Sequence, residues 1–152
     1  MSRPVREHVS SIGFAGATDP GGGSGGGRNV RPVLYSDVIR DRWRHPRRRG
    51  ELTGATAVAE DVNPLCGDRV RIMLHIGDGR ITEARFLGDS CAICTASADV
   101  VAELVEGRRR AEASALGVGD VLDVLQADIR PTRMRCVTLP LTVLGAALGV
   151  TA

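Results

Sequence analysis

Cysteine is confined to three short stretches of the sequence, and their contexts point to chemistry at sulfur. The stretches are Asn63-Pro64-Leu65-Cys66-Gly67-Asp68, Cys91-Ala92-Ile93-Cys94 and Arg133-Met134-Arg135-Cys136-Val137. Cysteine thiolates are soft metal ligands and good nucleophiles. If the three stretches converge in the fold, they predict a metal site or a sulfur-transfer site.

The composition limits the classes of protein to which this chain can belong. The chain has 152 residues, of which 43% are hydrophobic, and a formal net charge of +2. This length favours one domain with a real core, and so small a charge does not favour a nucleic-acid partner. No apolar run is long enough for a membrane span, and the N-terminus lacks the apolar segment of a secretory signal. We therefore predict a cytoplasmic protein, in which cysteine serves metal binding or catalysis rather than disulfides.

The first part of the chain differs in composition from the rest. The run Gly21-Gly22-Gly23-Ser24-Gly25-Gly26-Gly27 disfavours a defined backbone, because glycine loses the most conformational entropy on ordering. We predict a disordered Gly-rich extension over residues 1–31 and one folded domain over residues 32–152.

Apolar periodicity in the folded part alternates between helical and strand patterns. A first helix is predicted from an N-cap at Ser36 or Asp37 to about Arg44. Further helices are predicted at Cys91–Val105 and Val118–Leu125, and strands at Ala55–Glu60, Arg69–Ile76 and Arg80–Leu87. A last helix follows Cys136 and should begin near Val137 to Leu139, because Pro140 is tolerated only in a first turn. These elements predict an α+β domain, a small three-stranded antiparallel sheet with helices packed on it.

The predicted elements give the cysteines special surroundings. Cys91 and Cys136 fall at helix N-termini, where free N–H groups and the helix dipole favour a thiolate. Cys66 falls in a loop, and Asp68 can turn a carboxylate toward the same centre. Three exposed, activated thiolates and one exchangeable oxygen suit a site that holds iron or zinc and later releases it. A closed structural zinc site normally has four sulfur or imidazole ligands instead.

Cys94 leaves several interpretations open. Cys91-x-x-Cys94 at a helix start is also typical of a thioredoxin-like redox pair, although no convincing βαβ unit surrounds it. On a helix the two positions lie on nearly the same face. Cys94 can therefore be a fourth sulfur ligand, a resolving thiol for a persulfide, or simply a small buried residue.

The sequence resembles the U-type iron–sulfur cluster assembly scaffolds, the family of IscU, SufU and the N-terminal domain of NifU. The resemblance covers about residues 34–149 and is most specific around the cysteines. Its motifs are Tyr35-Ser36-Asp37-Val38-Ile39, Pro46-Arg47, Gly50, Asn63-Pro64-Leu65-Cys66-Gly67-Asp68, Ala84-Arg85-Phe86, Cys91-Ala92-Ile93, Ala96-Ser97-Ala98 and Arg135-Cys136 with Leu139. It implies the SufE/NifU-like fold.

The resemblance also implies a function and a set of site residues. Cys66, Asp68, Cys91 and Cys136 would bind iron and a transient [2Fe-2S] cluster, with sulfur from a cysteine desulfurase, and the cluster would pass to recipient apo-proteins. The alternative is a SufU-like member that holds Zn²⁺ at the same residues and accepts sulfur from the desulfurase, with Cys136 as the candidate acceptor. The first would be a non-enzymatic scaffold, and the second would have a sulfurtransferase-like activity.

Departures from the family pattern place the chain nearer to the SufU-like members. Arg135 precedes Cys136, where the IscU-type scaffolds have a histidine. The element by which those scaffolds engage their chaperone is not found near Arg130. By contrast, the short distance between Cys91 and Cys136 is closer to the IscU type. Ser90 replaces the usual glycine, and Cys94 is additional.

Overall fold

Three strands form one antiparallel sheet in the computed structural model, which describes residues 36–149. They are β1 (Ala57–Asn63), β2 (Asp68–Gly77) and β3 (Arg80–Leu87), in the order β1-β2-β3. The predicted α+β architecture is therefore confirmed. The first strand lies two or three residues later than predicted, because its pairing with β2 continues until Asn63 lies opposite Asp68. The sheet thus extends to the first cysteine loop.

The alternation predicted for β2 gives the sheet its buried face. Val70, Ile72 and Leu74 are at most 1% exposed and point toward the helices. Burial of each such aliphatic side chain contributes about 1.5–3 kcal/mol relative to exposure. Because the period of a strand is two, this burial fixes the face on which each β2 residue lies.

Five helices and one 3-10 turn complete the described chain. They are α1 (Asp37–Arg44), α2 (Ala92–Val105), α3 (Arg110–Ser114), α4 (Val118–Leu125), the 3-10 turn Pro131–Arg133 and α5 (Met134–Ala147). Helix α2 is almost entirely buried between α1, α5 and the sheet. Helix α3 was not predicted, because five residues are too few to show a helical period.

A buried ion pair joins α1 to α2. Although α1 is rich in arginine, Arg42 is only 9% exposed. Its guanidinium Nη1 donates to Oδ2 of Asp99 at 2.8 Å. Asp99 is 0% exposed, and its other oxygen, Oδ1, accepts the backbone N–H of Arg48. Removing one partner of a buried pair leaves an uncompensated charge, so this contact fixes the position of α2.

The last helix begins earlier than predicted. Its start is Met134 rather than Val137 to Leu139, because Pro131 opens a 3-10 turn that leads directly into it. Pro140 consequently lies inside the helix, where it cannot donate a hydrogen bond to the carbonyl of Cys136. Packing of α5 on α2, β1 and β2 offsets this loss. Cys136 therefore lies within the first helical turn and not ahead of it.

Two further sequence predictions concern the N-terminal extension and the absence of a membrane-spanning helix. The predicted extension over residues 1–31 lies outside the described residues, and the boundary of the folded domain stays a prediction. Over residues 36–149, no helix has both the length and the hydrophobicity needed to cross a bilayer.

Candidate metal centre

The first group of the site is carried by the loop between β1 and β2. The Asn63 carbonyl accepts hydrogen bonds from the backbone N–H groups of Cys66 and Gly67, at 3.2 and 2.7 Å. Gly67 has a φ of +76°, which glycine adopts without strain. This tight turn places Cys66 at an exposed position and brings the chain back into β2 at Asp68.

Asp68 connects this loop to the start of α2. Its side chain is 3% exposed, and its Oδ1 accepts the backbone N–H of Cys91 at 3.0 Å. The other carboxylate oxygen, Oδ2, lies 3.9 Å from Cys91 Sγ and 3.6 Å from Cys136 Sγ. One oxygen therefore holds the helix start, while the other faces the thiols.

Cys91 is the N-cap of α2. The helix was predicted to begin at Cys91 and begins one residue later, at Ala92. The Sγ of Cys91 accepts the backbone N–H of Cys94 at 3.4 Å and lies 3.5 Å from Cys136 Sγ. Cys136 reaches the same point from the first turn of α5. The contact between these two sulfurs, whose residues are 45 positions apart in the chain, thus joins α2 to α5.

Four predicted ligand groups converge in this way. Cys66 Sγ, a carboxylate oxygen of Asp68 and Cys136 Sγ all lie within 4.8 Å of one another, and Cys91 Sγ adjoins the last two. Two thiolates on one tetrahedral zinc lie about 3.8 Å apart, because each Zn–S bond is about 2.3 Å long. The observed separations of 3.5 to 3.9 Å among Cys91, Asp68 and Cys136 fit a shared ion.

Arg133 supplies positive charge at this centre. Hydrogen bonds to the sulfurs of Cys136 and then Cys91 raise the pKa of its guanidinium. Its Nε is buried and has no hydrogen-bond partner within the described part of the chain. A guanidinium in this position stabilises negative charge on the two sulfurs.

The sequence predicted three exposed, activated thiolates, and for Cys136 this was wrong. Its side chain is only 1% exposed. Burial raises the pKa of Cys136 to about 12, although the hydrogen bond from Arg133 acts in the opposite direction. The metal-free site therefore keeps this thiol protonated, and a bound cation must displace the proton.

Cys94 lies behind the centre rather than in it. It is 0% exposed, and burial followed by the charge of Asp68 raises the pKa of its thiol. Neither Cys94 nor Cys91 belongs to the group of ligand atoms within 4.8 Å of one another, but Cys91 Sγ lies 3.5 Å from Cys136 Sγ, and among residues 36–149 the Cys94 thiol makes no such contact. The interpretation of Cys94 as a buried residue agrees with this position, whereas a fourth sulfur ligand would require movement.

Sequence analysis missed the close contact that positions Asp68. Gly88, at the end of β3, has a φ of +150°, and a Cβ there would lie 2.0 Å from the carbonyl oxygen of Arg69. The backbone N–H of Arg69 in turn donates to the Asp89 carbonyl at 2.9 Å. A glycine between a strand and a cysteine was the available signal.

Comparison with known proteins agrees with this site and fold. The model of the NifU-like N-terminal domain matches residues 34–150. The chain belongs to this family. The resemblance derived from the sequence motifs is thus confirmed.

Several relatives have names that describe cluster assembly or sulfur transfer. The iron-sulfur cluster assembly scaffold protein IscU of Thermotoga maritima is 32% identical over 135 residues, which are 78% of this chain and 95% of that protein. The zinc-dependent sulfurtransferase SufU of Bacillus subtilis is 28% identical over 124 residues, 70% of this chain and 84% of that one. The bifunctional protein NifU/MnmA of Rubrobacter xylanophilus is 35% identical over 117 residues, 76% of this chain but only 24% of its own length.

Solved structures share the fold. The SufU protein of Fervidobacterium islandicum, FiSufU, superposes with a TM-score of 0.68 at 27% identity, and the match covers 76% of this chain and 96% of that one. The N-terminal part of a NifU-like protein from Brucella abortus gives a TM-score of 0.63 at 21% identity, over 76% and 92% of the two chains. The SufE/NifU-like fold implied by the sequence is therefore confirmed.

Proposed function

We propose that this protein is an iron–sulfur cluster assembly scaffold, with Cys66, Asp68, Cys91 and Cys136 as the groups that hold its cargo. The observation that carries the proposal is the convergence of three thiols and one carboxylate from three separate parts of the chain. Soft thiolates suit iron and sulfide, and the single hard oxygen makes the donor set easier to open than four thiolates. Membership of the NifU-like family supports this assignment.

The positions of the donors suit a site that loads and unloads. Cys66 is exposed on a turn, whereas Cys136 is buried beneath it. A partner can therefore reach the centre from the side of Cys66 while the deeper groups keep the cargo in place. The partners would be a cysteine desulfurase, which supplies the sulfur, and the apo-proteins that receive the cluster.

The deciding measurement is elemental analysis of protein purified without oxygen. Roughly equal iron and acid-labile sulfide, bound after anaerobic reconstitution, would support the scaffold. The variant Cys66→Ser should lose the cluster, whereas Asp89→Asn, on a neighbouring exposed loop, should retain it. Full retention by Cys66→Ser would remove Cys66 from the donor set.

A second candidate function is sulfur acceptance at a zinc site. The same four groups fit Zn²⁺, and the B. subtilis relative bears the name of a zinc-dependent sulfurtransferase. Arg133 stabilises negative charge on the Cys136 and Cys91 sulfurs, which favours a thiolate that leaves the ion to accept sulfur. In this case Cys136 would be the acceptor and the protein would have enzyme-like activity.

An assay with a cysteine desulfurase separates the two functions. A sulfur acceptor should raise desulfurase turnover with cysteine as substrate, and Cys136→Ser should abolish the increase. Zinc without sulfide in the purified protein, together with that increase, would establish the second function in place of the first. No increase in turnover would exclude it.

A further inference from the structure

Cys94 is a buried thiol that the four proposed donors leave without a role. Its backbone N–H donates to Cys91 Sγ at 3.4 Å. Cys91 is the N-cap of α2 and Cys94 is the third residue of the helix, so the two side chains are neighbours at the helix start. A disulfide requires the two Cβ atoms to come within about 3.5–4.5 Å of each other. Cys91 is half-buried, whereas Cys94 is fully enclosed.

We propose that Cys94 is a resolving thiol that releases sulfide from a persulfide carried by Cys91. This inference rests on the proposed function, which brings sulfur to the centre in the oxidation state of a persulfide. Cluster assembly consumes sulfide, so the sulfur must gain two electrons before it can be used. The Cys91–Cys94 pair supplies them.

The first step moves sulfur from Cys136 to Cys91. The two Sγ atoms are 3.5 Å apart. The Cys91 thiolate attacks the terminal sulfur of a Cys136 persulfide, the S–S bond of that persulfide breaks, and Cys136 leaves as a thiolate. The sulfur is now bound to Cys91, and no net oxidation or reduction has occurred. Arg133, beside both sulfurs, stabilises the thiolate at each end of the exchange.

The second step releases the sulfide. The Cys94 sulfur attacks Cys91 Sγ, the bond from Cys91 to the terminal sulfur breaks, and hydrosulfide leaves with the proton given up by the Cys94 thiol. A Cys91–Cys94 disulfide remains, so the pair is oxidised by two electrons and the transferred sulfur is reduced by two. A thiol reductant then restores the pair for another cycle.

Enclosure of Cys94 makes it suited to this step. The residue is 0% exposed, so external disulfides and partner proteins cannot compete for its sulfur. The new disulfide also spares the remaining donors. Cys66, Asp68 and Cys136, which lie within 4.8 Å of one another, stay available for iron beside the released sulfide.

The test loads sulfur chemically, so it does not depend on any desulfurase. The full-length protein, reduced and freed of metal, is treated without oxygen with glutathione persulfide as the sulfur donor. Released sulfide is measured, and the disulfides are mapped by mass spectrometry of proteolytic peptides. Cys94→Ala is compared with the wild type, with the near-isosteric Cys94→Ser, and with Val101→Ala, a truncation at another fully buried position of α2.

The wild type and Val101→Ala should release about one sulfide per persulfide taken up and contain a Cys91–Cys94 disulfide. Both Cys94 variants should keep the extra sulfur on Cys91 or Cys136 and release sulfide at least about tenfold more slowly. Equal release by the Cys94 variants, a Cys91–Cys136 disulfide in the wild type, or no sulfide release by the wild type would each overturn the inference. A wild type that passes this test but gains no sulfur or cluster in the presence of a desulfurase would refute the proposed function instead.

Discussion

At the scale of single residues, the two oxygens of the Asp68 carboxylate have different roles. Its Oδ1 accepts the N–H of Cys91, and its Oδ2 faces the thiols of Cys91 and Cys136. The same side chain therefore stabilises the start of α2 and completes the donor set. Loss of Asp68 should affect both the fold and the binding of a metal, and the two effects can be measured separately.

Asp68→Ala should lower the free energy of unfolding of the metal-free protein by about 1–2 kcal/mol, because a buried N–H loses its acceptor. It should also weaken zinc binding at least about tenfold, as judged by competition with a chromophoric chelator. Asp89→Ala is the matched control, because within residues 36–149 the Asp89 side chain makes no hydrogen bond or ion pair, and its backbone carbonyl, which accepts the Arg69 N–H, is unchanged by the substitution. Unchanged zinc affinity in Asp68→Ala would show that this carboxylate is not a ligand.

The buried thiols make the metal-free protein sensitive to alkaline pH. Burial raises the pKa of Cys136 to about 12 and raises that of Cys94 as well, so the folded state keeps both protons longer than the unfolded state does. The resulting stability is fully present below the unfolded thiol pKa of about 8.5 and is lost as the pH rises from there toward the folded values. The sequence contains no lysine, so few other groups titrate in this window.

Urea denaturation of the chelated, reduced protein should therefore give a lower free energy of unfolding at about pH 10 than at about pH 7.5. Cys136→Ala should show a smaller decrease, because one of the two shifted thiols is gone. If the wild type and this variant lose the same free energy between these pH values, Cys136 does not contribute to the pH dependence.

At the scale of elements, the end of β3 controls where Asp68 lies. Gly88 passes so close to the Arg69 backbone that no side chain fits between them. This contact holds the start of β2 against the segment that leads into Cys91. The donor set therefore depends on the register of two strands as well as on the ligands themselves.

Gly88→Ala should destabilise the protein by about 2–3 kcal/mol, because the new Cβ would lie 2.0 Å from the Arg69 carbonyl and the strands must separate. The same displacement moves Asp68 and should weaken zinc binding. Gly77→Ala, at the far end of β2 with nothing within 4 Å of a new Cβ, should change neither property by much. Thermal unfolding and the chelator competition measure the two effects. Equal behaviour of the two variants would contradict this role of Gly88.

At the scale of the whole molecule, the hydrophobic core and the metal centre meet at Cys136 but otherwise consist of different groups. The core consists mainly of aliphatic side chains from the sheet and from all five helices, such as Ile39, Ile72, Val101, Leu125 and Leu144. None of these requires a metal for its burial. A protein that releases its cargo should accordingly remain folded when the site is empty.

Removal of metal with a chelator should therefore leave the helical circular dichroism nearly unchanged and the unfolding cooperative. The midpoint should fall by the amount that metal binding contributes, and added zinc should restore it. Loss of helical signal on chelation would instead identify a structural zinc domain without transfer activity. This outcome would contradict the proposed function directly.

The sequence alone determined the fold class and the four candidate donors. Alternation in β2, the helical period of α2 and the Ser36 cap of α1 are local signals, so β2, α2 and the end of α1 were placed correctly. The donors were identified because cysteine is rare in this chain and each one lies in a characteristic motif. These features depend only on neighbours along the chain.

The tertiary structure decided what depends on contacts between distant segments. Packing of α5 on α2 and the sheet set its start and placed Pro140 inside it. Burial raises the pKa of Cys136 and keeps its thiol protonated, whereas its position near a helix N-terminus had predicted a thiolate. Packing also encloses Cys94 completely, and a backbone contact at Gly88 sets the position of Asp68. Burial and proximity arise only when the chain is folded, and for this reason the sequence could name the site residues but could not give their exposure or protonation.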